Sequence, residues 1–324
     1  MGQKVSRAAA GGPGGYGPGD VGQGDVGQGD TGQGDTGQGD TGQGDTVAAM
    51  PGALDLIAGW PVPTAAAAVV CPSGVLARYG DLAQPYRLAS VTKPLVARAA
   101  QVAIEEGVVD LDTPAGPPGS MVRHLLAHAS GLAMGSAETV ARPGTRRVYS
   151  NYGFTVLAET VQAQSGIEFG RYLTEAVFDP LGMTASRLDG GASAAGFGGV
   201  STVADLALFA RELLRPRMVS ELMHAEAVSV QFPGLSGVLP GFGRQRPNDW
   251  GLGFEIRDSK VPHWTGVANS SGTYGHFGQT GTFIWVDPAA DLALVVLTDR
   301  DFDAWAKPLW PALSDDVLRE FTSD

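Results

Sequence analysis

Hydrophobic spacing changes character along this chain, and the changes mark out its elements. Between residues 64 and 80, "TAAAAVVCPSGVLARYG" sets two apolar runs around Pro72-Ser73-Gly74, the pattern of a β-hairpin. From Val91, "VTKPLVARAAQVAIEEG" places Leu95, Val96, Ala99, Val102 and Ile104 on a helical period, and Gly107 closes it. Pro94 lies near the start, where a helix tolerates proline. "VRHLLAHA" from Val122 and "NYGFTVLAETVQAQSG" from Asn151 predict further helices. "STVADLALFARELLR" from Ser201 predicts another, with Thr202 and Asp205 spaced as an N-terminal capping box. The period then shortens. "TGTFIWVDPAADLALVVLTDR" reads as strand, Asp-Pro turn and strand, and "WGLGFEIRD" as a strand before it. The end, "AWAKPLWPALSDDVLREFTSD", predicts a closing helix. Strands at both ends with helices between predict an α+β fold. Its antiparallel sheet would be assembled from both ends and flanked by terminal helices, with a helical lobe inserted over roughly 108–245.

The pattern stops short of the first 49 residues. From Asp20 onward they repeat GQGD with a period of five, and the repeat offers no large apolar side chain beyond two valines to offset the entropy of ordering its glycines. Residues 1–49 are therefore expected to be a disordered leader, and residues 50–324 one catalytic unit. A calcium-binding β-roll needs a nine-residue period and collagen needs glycine at every third position, so neither fits. The opening Met1-Gly2-Gln3-Lys4-Val5-Ser6 matches a short myristoylation pattern, for which coincidence is the better account.

Charge narrows the function classes. The net charge is −12, and the leader holds two basic residues against six aspartates, which leaves −8 on residues 50–324. An acidic domain without basic clusters argues against nucleic acid or an anionic membrane as partner. No apolar run has the length of a membrane span, no signal peptide is evident, and a single cysteine excludes an internal disulfide. A cytoplasmic protein is the expectation.

Three short motifs carry chemistry. Ser90 and Lys93, one of four lysines in the chain, lie one helical turn apart. A lysine whose neutral form is favoured can take the proton of a serine nucleophile. Alone the spacing arises by chance roughly one time in five, and a capping serine beside a solvated lysine would explain it. Tyr149 and Asn151, two apart at a helix start, can share one cleft if the chain there is extended. The phenol can relay a proton, and the amide can hold both a carbonyl and the lysine. In "TYGHFGQTG", residues 273–281, Gly275, Gly278 and Gly281 allow close backbone approach. The Gln279 N–H can then join the Ser90 N–H as an oxyanion donor pair, with His276 projecting inward as a hydrogen-bond donor.

Taken together, S-x-x-K, Y-x-N and H-x-G resemble the serine β-lactamase/penicillin-binding-protein superfamily, in the branch of class C β-lactamases, DD-peptidases and related esterases. "VRHLLAHASGL", "YSNYGFTVLAE", "PLGM" and "GGVSTVADLALFA" are similar to further segments of that branch, so the resemblance runs from about Val69 to Thr298. It implies a β-lactamase-like fold and an acyl-enzyme on Ser90. Lys93 and Tyr149 would share the base role, leaving open which of them is proximal. Asn151, His276 and Gly278 would meet substrate. Neither metal nor organic cofactor is implied. The substrate would be a small ester, peptide or β-lactam. Histidine stands at 276 where many relatives carry lysine, which weakens a fixed charge for a substrate carboxylate and favours ester or amide hydrolysis. The alternatives are a β-lactamase, a D-alanyl-D-alanine carboxypeptidase, or a degenerate ligand-binding module. His124 and His128 have zinc-helix spacing but no accompanying glutamate or third ligand, and no G-x-S-x-G elbow is present.

Overall fold

The structure, a computed structural model, describes residues 52–322. The repeat segment read as a disordered leader and the pattern at Gly2 lie outside the described residues. In chain order, β1 (Ala65–Cys71) and β2 (Gly74–Tyr79) form the expected hairpin. β3 (Tyr86–Arg87) leads into α1 (Thr92–Glu105). The middle holds α2 (Val122–Leu126), α3 (Asn151–Ser165), α4 (Phe169–Leu173), α5 (Asp179–Leu181), β4 (Arg187–Leu188), β5 (Gly199–Ser201), α6 (Val203–Leu214), α7 (Glu221–Ala227), β6 (Gly237–Leu239) and β7 (Gly243–Gln245). β8 (Glu255–Ile256), β9 (Tyr274–Gly278), β10 (Thr282–Asp287), β11 (Leu292–Thr298) and α8 (Ala306–Thr322) complete the chain. The main sheet has the order β2-β1-β11-β10-β9-β8, every neighbour antiparallel, so strands from both ends meet where β1 pairs β11. This is the expected α+β architecture, with its antiparallel sheet assembled from both ends.

Both faces of the sheet are covered, and the period-2 alternation of a strand decides which residue meets which layer. In β11, Ala293, Val295 and Leu297 join Ala66, Ala68 and Val70 in the core beneath α1 and α6. Leu292, Leu294 and Val296 face the other way, with Ala67, Val69 and Trp285, toward the 3₁₀ turn Ala53–Gly59 and α8. Burial on two sides explains why "LALVVLT" is continuously apolar. Each buried valine or leucine among them contributes about 1.5–3 kcal/mol. The outer layer is also stitched by polar bonds: Trp285 Nε1 donates to Ser314 Oγ at 3.1 Å.

Some elements depart from their patterns. The helix expected over 122–129 stops at Leu126, and His128 beyond it takes φ 53°. The run 250–258 gives only the two residues of β8. Gly253 there has φ +94°, and a Cβ on it would lie 2.1 Å from Ala97 Cβ of α1, so this backbone serves a close approach rather than a ladder. Only half the capping box forms. Thr202 Oγ1 accepts from Asp205 N at 3.1 Å, while the Asp205 carboxylate turns to Ala185 N and Ser186 Oγ.

The β9–β10 turn is fastened to the turn ahead of α1. Thr282 Oγ1 donates to Leu88 O at 2.8 Å, and Thr280 Oγ1 donates to Arg87 O at 2.6 Å. Gly278 sits in this seam, where a Cβ would fall 2.2 Å from Leu88 O. Gly278→Ala is therefore expected to destabilise the protein by about 1–3 kcal/mol, because one backbone must move away from the other. Chemical denaturation followed by circular dichroism measures this, and an unchanged midpoint and slope would contradict the close approach.

Candidate active site

Ser90 lies in the single 3₁₀ turn Ala89–Val91 that opens onto α1. Ala89 holds φ 45°, a conformation that costs a non-glycine residue of order 1 kcal/mol and persists only if it is clamped. The clamp is Thr92. Its Oγ1 donates to Ala89 O at 2.6 Å and accepts from Gly199 N at 2.8 Å. Leu88 N in turn donates to Gly199 O at 2.9 Å. The serine is thus presented on a turn fixed from the helix, from β5 and from the β9–β10 turn.

Lys93 follows one turn later with 0% exposure. Its Nζ lies 2.6 Å from Asn151 Oδ1, 2.7 Å from Gly196 O and 3.2 Å from Ser90 Oγ. All three partners are uncharged, and burial holds the amine well below its ordinary pKa of 10.5. Tyr149 donates its O–H to Ser90 Oγ at 2.7 Å. Burial pushes the phenol up, against the smaller opposing pull of that hydrogen bond, so the tyrosine stays protonated.

The Y-x-N spacing works because Ser150, between them, has extended φ −138°, ψ 117° and is itself the N-cap of α3. Its Oγ accepts from Gly153 N at 2.8 Å and donates to Ala133 O at 2.6 Å, which turns it away from the cleft. Beneath Tyr149, His128 stacks at 4.5 Å between ring centroids and accepts the Ser150 N–H on Nδ1 at 3.1 Å. His124 stacks instead on Phe232, so the two histidines of zinc-helix spacing rest on different partners.

His276 lies in β9 on the cleft wall, but not as the expected hydrogen-bond donor. Its Nδ1 meets the Phe277 carbonyl at 2.7 Å. A carbonyl only accepts, so Nδ1 carries the hydrogen and Nε2 presents a lone pair. Burial, with Lys93 nearby, pushes the ring down to about 3, which leaves it neutral at physiological pH. Gly278 touches the nucleophile turn rather than the cleft. Gln279 lines the cleft and is anchored twice to Phe302. Its Nε2 donates to Phe302 O at 3.0 Å, and its carbonyl accepts from Phe302 N at 2.7 Å.

The cleft itself is a cavity of about 280 Å³. Met134, Phe197, Leu239, Pro240, Trp250 and Phe277 give it an apolar wall around Ser90, Tyr149, Asn151 and His276. Sequence patterns pointed to none of these six. They come from loops and short strands whose shared cavity has no sequence period.

No lysine or arginine lines this cavity among the described residues. One carboxylate, Glu255, does, and it is fully engaged. Oε1 pairs with Lys260 Nζ, while Oε2 accepts from His263 Nε2 at 2.8 Å and Trp264 Nε1 at 3.0 Å. Lys260 also donates to Asp249 O at 2.8 Å, so the cluster holds the loop that carries Trp250 into the site.

Comparison with known proteins identifies the family of the chain. The family model for beta-lactamase matches residues 62–318. The chain belongs to the beta-lactamase family. Within this family of serine hydrolases, a solved beta-lactamase from Mycobacterium bovis is 74% identical, with 84% of this chain and 100% of that chain covered at a TM-score of 0.83. Two curated relatives are provisionally named D-alanyl-D-alanine carboxypeptidases. That from Escherichia coli O157:H7 is 22% identical over 52% of this chain and 48% of its own length. That from Salmonella gallinarum is 39% identical over 21% of this chain and 16% of its own length. The matches thus span about half of those relatives or less. No helix among the described residues is long and apolar enough to cross a membrane.

Glu255 gives a stability prediction for this beta-lactamase-family chain. Burial alone would raise the carboxyl, but His263 and Lys260 outweigh it and hold it at about 2, below the ordinary 4.5. A depressed carboxyl pKa stabilises the fold above its ordinary value and loses that effect as pH falls toward the folded value. Glu255→Gln leaves Lys260 buried without its counter-charge and is expected to cost about 3–5 kcal/mol at neutral pH. The deficit relative to wild type should narrow between pH 4.5 and about 2. Denaturation midpoints across that range measure it, and a pH-independent deficit would speak against the ion pair.

Proposed function

We propose that this chain is a serine esterase acting on uncharged, mainly apolar esters through an acyl-enzyme on Ser90. The arrangement that carries the reading is Ser90 Oγ held between an O–H donor and a buried amine. A neutral amine has two hydrogens and one lone pair. The two shorter contacts of Lys93, to Asn151 Oδ1 and Gly196 O, take the hydrogens. The lone pair then faces Ser90 at 3.2 Å, while Tyr149 donates to the same oxygen at 2.7 Å. On this reading Lys93 is the proximal base and Tyr149 the proton donor, since one is held neutral and the other protonated.

The steps follow from those positions. Ser90 Oγ attacks the acyl carbon as its proton passes to Lys93 Nζ. The carbonyl oxygen becomes an oxyanion beside the backbone N–H groups of Ser90 and Gln279. Collapse breaks the ester C–O bond, the alcohol leaves with the proton of Tyr149, and the Lys93 ammonium returns a proton directly to the phenolate, leaving the amine neutral. Water then hydrolyses the acyl-enzyme by the same route in reverse order. The Asn151 amide steadies both Lys93 and the substrate.

The wall selects the substrate. A carboxylate entering a cavity without a cationic lining residue loses its hydration with nothing to replace it. An uncharged acyl group meets Met134, Phe197, Leu239 and Phe277 instead. β-Lactam hydrolysis is the second reading, favoured by the 74% identical beta-lactamase of Mycobacterium bovis.

Four measurements test this. Hydrolysis of 4-nitrophenyl butanoate is expected, with turnover of the β-lactam nitrocefin at least about a hundredfold slower in kcat/KM. The reverse order would favour the second reading. Ser90→Ala should abolish ester turnover and labelling by a fluorophosphonate, whereas labelling that survives would overturn the nucleophile assignment. Lys93→Ala and Tyr149→Phe should each cost about 10²–10⁴-fold in kcat. For pH, kcat/KM should rise as Lys93 loses its proton, with a midpoint well below the ordinary lysine value of 10.5. A midpoint at or above that value would exclude a neutral lysine base.

A further inference from the structure

His128 is buried and has no part in the steps given above, yet its contacts converge on Tyr149. The carbonyls of Ala127, His128 and Ala129 accept in turn from Arg147 Nη1, from Val148 N at 2.9 Å and from Gly144 N at 2.8 Å. Three consecutive carbonyls thus grip the segment that arrives at Tyr149. Just beyond the tyrosine, Ser150 N donates to His128 Nδ1 at 3.1 Å. The backbone on both sides of Tyr149 is therefore bonded to one residue. The ring of that residue also lies against the phenol ring, 4.5 Å between centroids and tilted by 37°.

An amide N–H only donates, so His128 Nδ1 presents a lone pair and the ring hydrogen sits on Nε2. Nε2 has no hydrogen-bond partner among the described residues. A phenylalanine would fill the same space without an orphaned N–H. What the histidine adds is the acceptor for Ser150. Burial above all, with Lys93, His276 and Arg147 nearby, holds the ring well below its ordinary 6.5, so the acceptor persists at physiological pH.

His128 is itself held in place. It has φ 53°, a left-handed conformation that persists in a non-glycine residue only where its surroundings impose it. Its N–H donates to Leu125 O at 3.2 Å, and its ring packs against Trp250 at 4.6 Å and Phe154 at 5.4 Å. Tyr149 has need of such a support. Its hydroxyl sits at the far end of the side chain, and the bond to Ser90 Oγ is the one hydrogen bond it makes among the described residues.

We propose that His128 is the positioning residue for Tyr149, fixing the phenol ring so that its O–H donates to Ser90 Oγ and then to the leaving alcohol. His128 does not line the cavity and acts through the tyrosine. The inference deepens the proton-donor role assigned to Tyr149 and rests on it.

A double-mutant cycle on kcat, with the full chain, tests this. His128→Ala removes both the ring and the acceptor. It should cost about a hundredfold in kcat with KM changed by less than about threefold, because a displacement of about 1 Å in a reacting group costs that much. His128→Asn suits the left-handed backbone and returns an acceptor near the Nδ1 position, so it should recover about tenfold of that loss. In a Tyr149→Phe background, which lacks the hydroxyl being positioned, each change at residue 128 should cost less than about threefold. A structural effect on Asn151 or Trp250 does not need the phenol hydroxyl and would cost the same in both backgrounds. Equal costs in the two backgrounds, or a His128→Ala variant with wild-type kcat, would overturn the proposal.

Circular dichroism identifies the folded variants, and if His128→Ala does not fold, His128→Asn carries the cycle with an expected loss of about tenfold. Tyr149 donates to Ser90 whatever the acyl donor. The cycle is therefore read on 4-nitrophenyl butanoate or on nitrocefin, whichever the wild type turns over faster. A wild type inactive on butanoate and active on nitrocefin would count against the esterase reading and leave the test of His128 intact.

Discussion

An amine buried without a counter-ion is the constraint on which this site depends. Removing an ammonium from water costs several kcal/mol even after relaxation. The Lys93 amine recovers part of this from the aromatic faces of Tyr149 at 4.6 Å and Phe154 at 5.5 Å, worth about 0.5–2 kcal/mol. The larger effect wins, and the neutral form is favoured. That outcome needs every nearby carboxylate to be silent. Glu255, which lines the same cavity, is silenced by Lys260, His263 and Trp264. The ion pair that looks remote from the chemistry therefore protects it, by spending the negative charge elsewhere.

The fold supplies the burial. α1 is enclosed from Thr92 to Gln101 because it runs through the middle of the molecule, beneath the sheet and against α3. A solvated amphipathic helix would have left its second residue in water. The seam between Gly278 and Leu88, with Thr282 and Thr280 on either side, then brings the backbone of Gln279 toward the turn that holds Ser90. The proposed oxyanion pair would depend on this seam, with its two threonine hydroxyls and missing side chain.

What the chain disclosed in advance divides along physical lines. The elements with a strong period were legible: the 64–80 hairpin, α1, α3, α6 and the β10–β11 pair all lie where alternation or helical spacing put them. Ser90, Lys93, Tyr149 and Asn151 were legible as a combination, because motif order carries information that no single motif does. The cavity wall was not. Met134, Phe197, Leu239 and Trp250 come from segments far apart in the chain, and nothing local marks them as neighbours. The role of His276 was half legible. Its residue type implied a weak charge, but which nitrogen holds the proton depends on the Phe277 carbonyl, and that contact exists only after β9 forms. Glycines misled in one place. "WGLGFEIRD" alternates like a strand, yet Gly253 is there so that the backbone can pass Ala97 of α1.

The uncharged wall and the neutral base are physically linked, whichever ester the cavity takes. A substrate carboxylate held about 6 Å from Lys93 would attract a proton to it by about 3 kcal/mol at an effective dielectric of 20, or about two pKa units. A family member that recognises carboxylates must offset that pull with a cation of its own near the site. Here residue 276 is a neutral imidazole pushed down to about 3, so no offset exists. On the proposed mechanism a carboxylate substrate would be penalised twice, once on entering an apolar cavity and again by protonating the base that must activate Ser90. In the proposed esterase, substrate neutrality would follow from the same burial that would make Lys93 a base, and exchanging His276 for a cation would alter the selectivity and the base together.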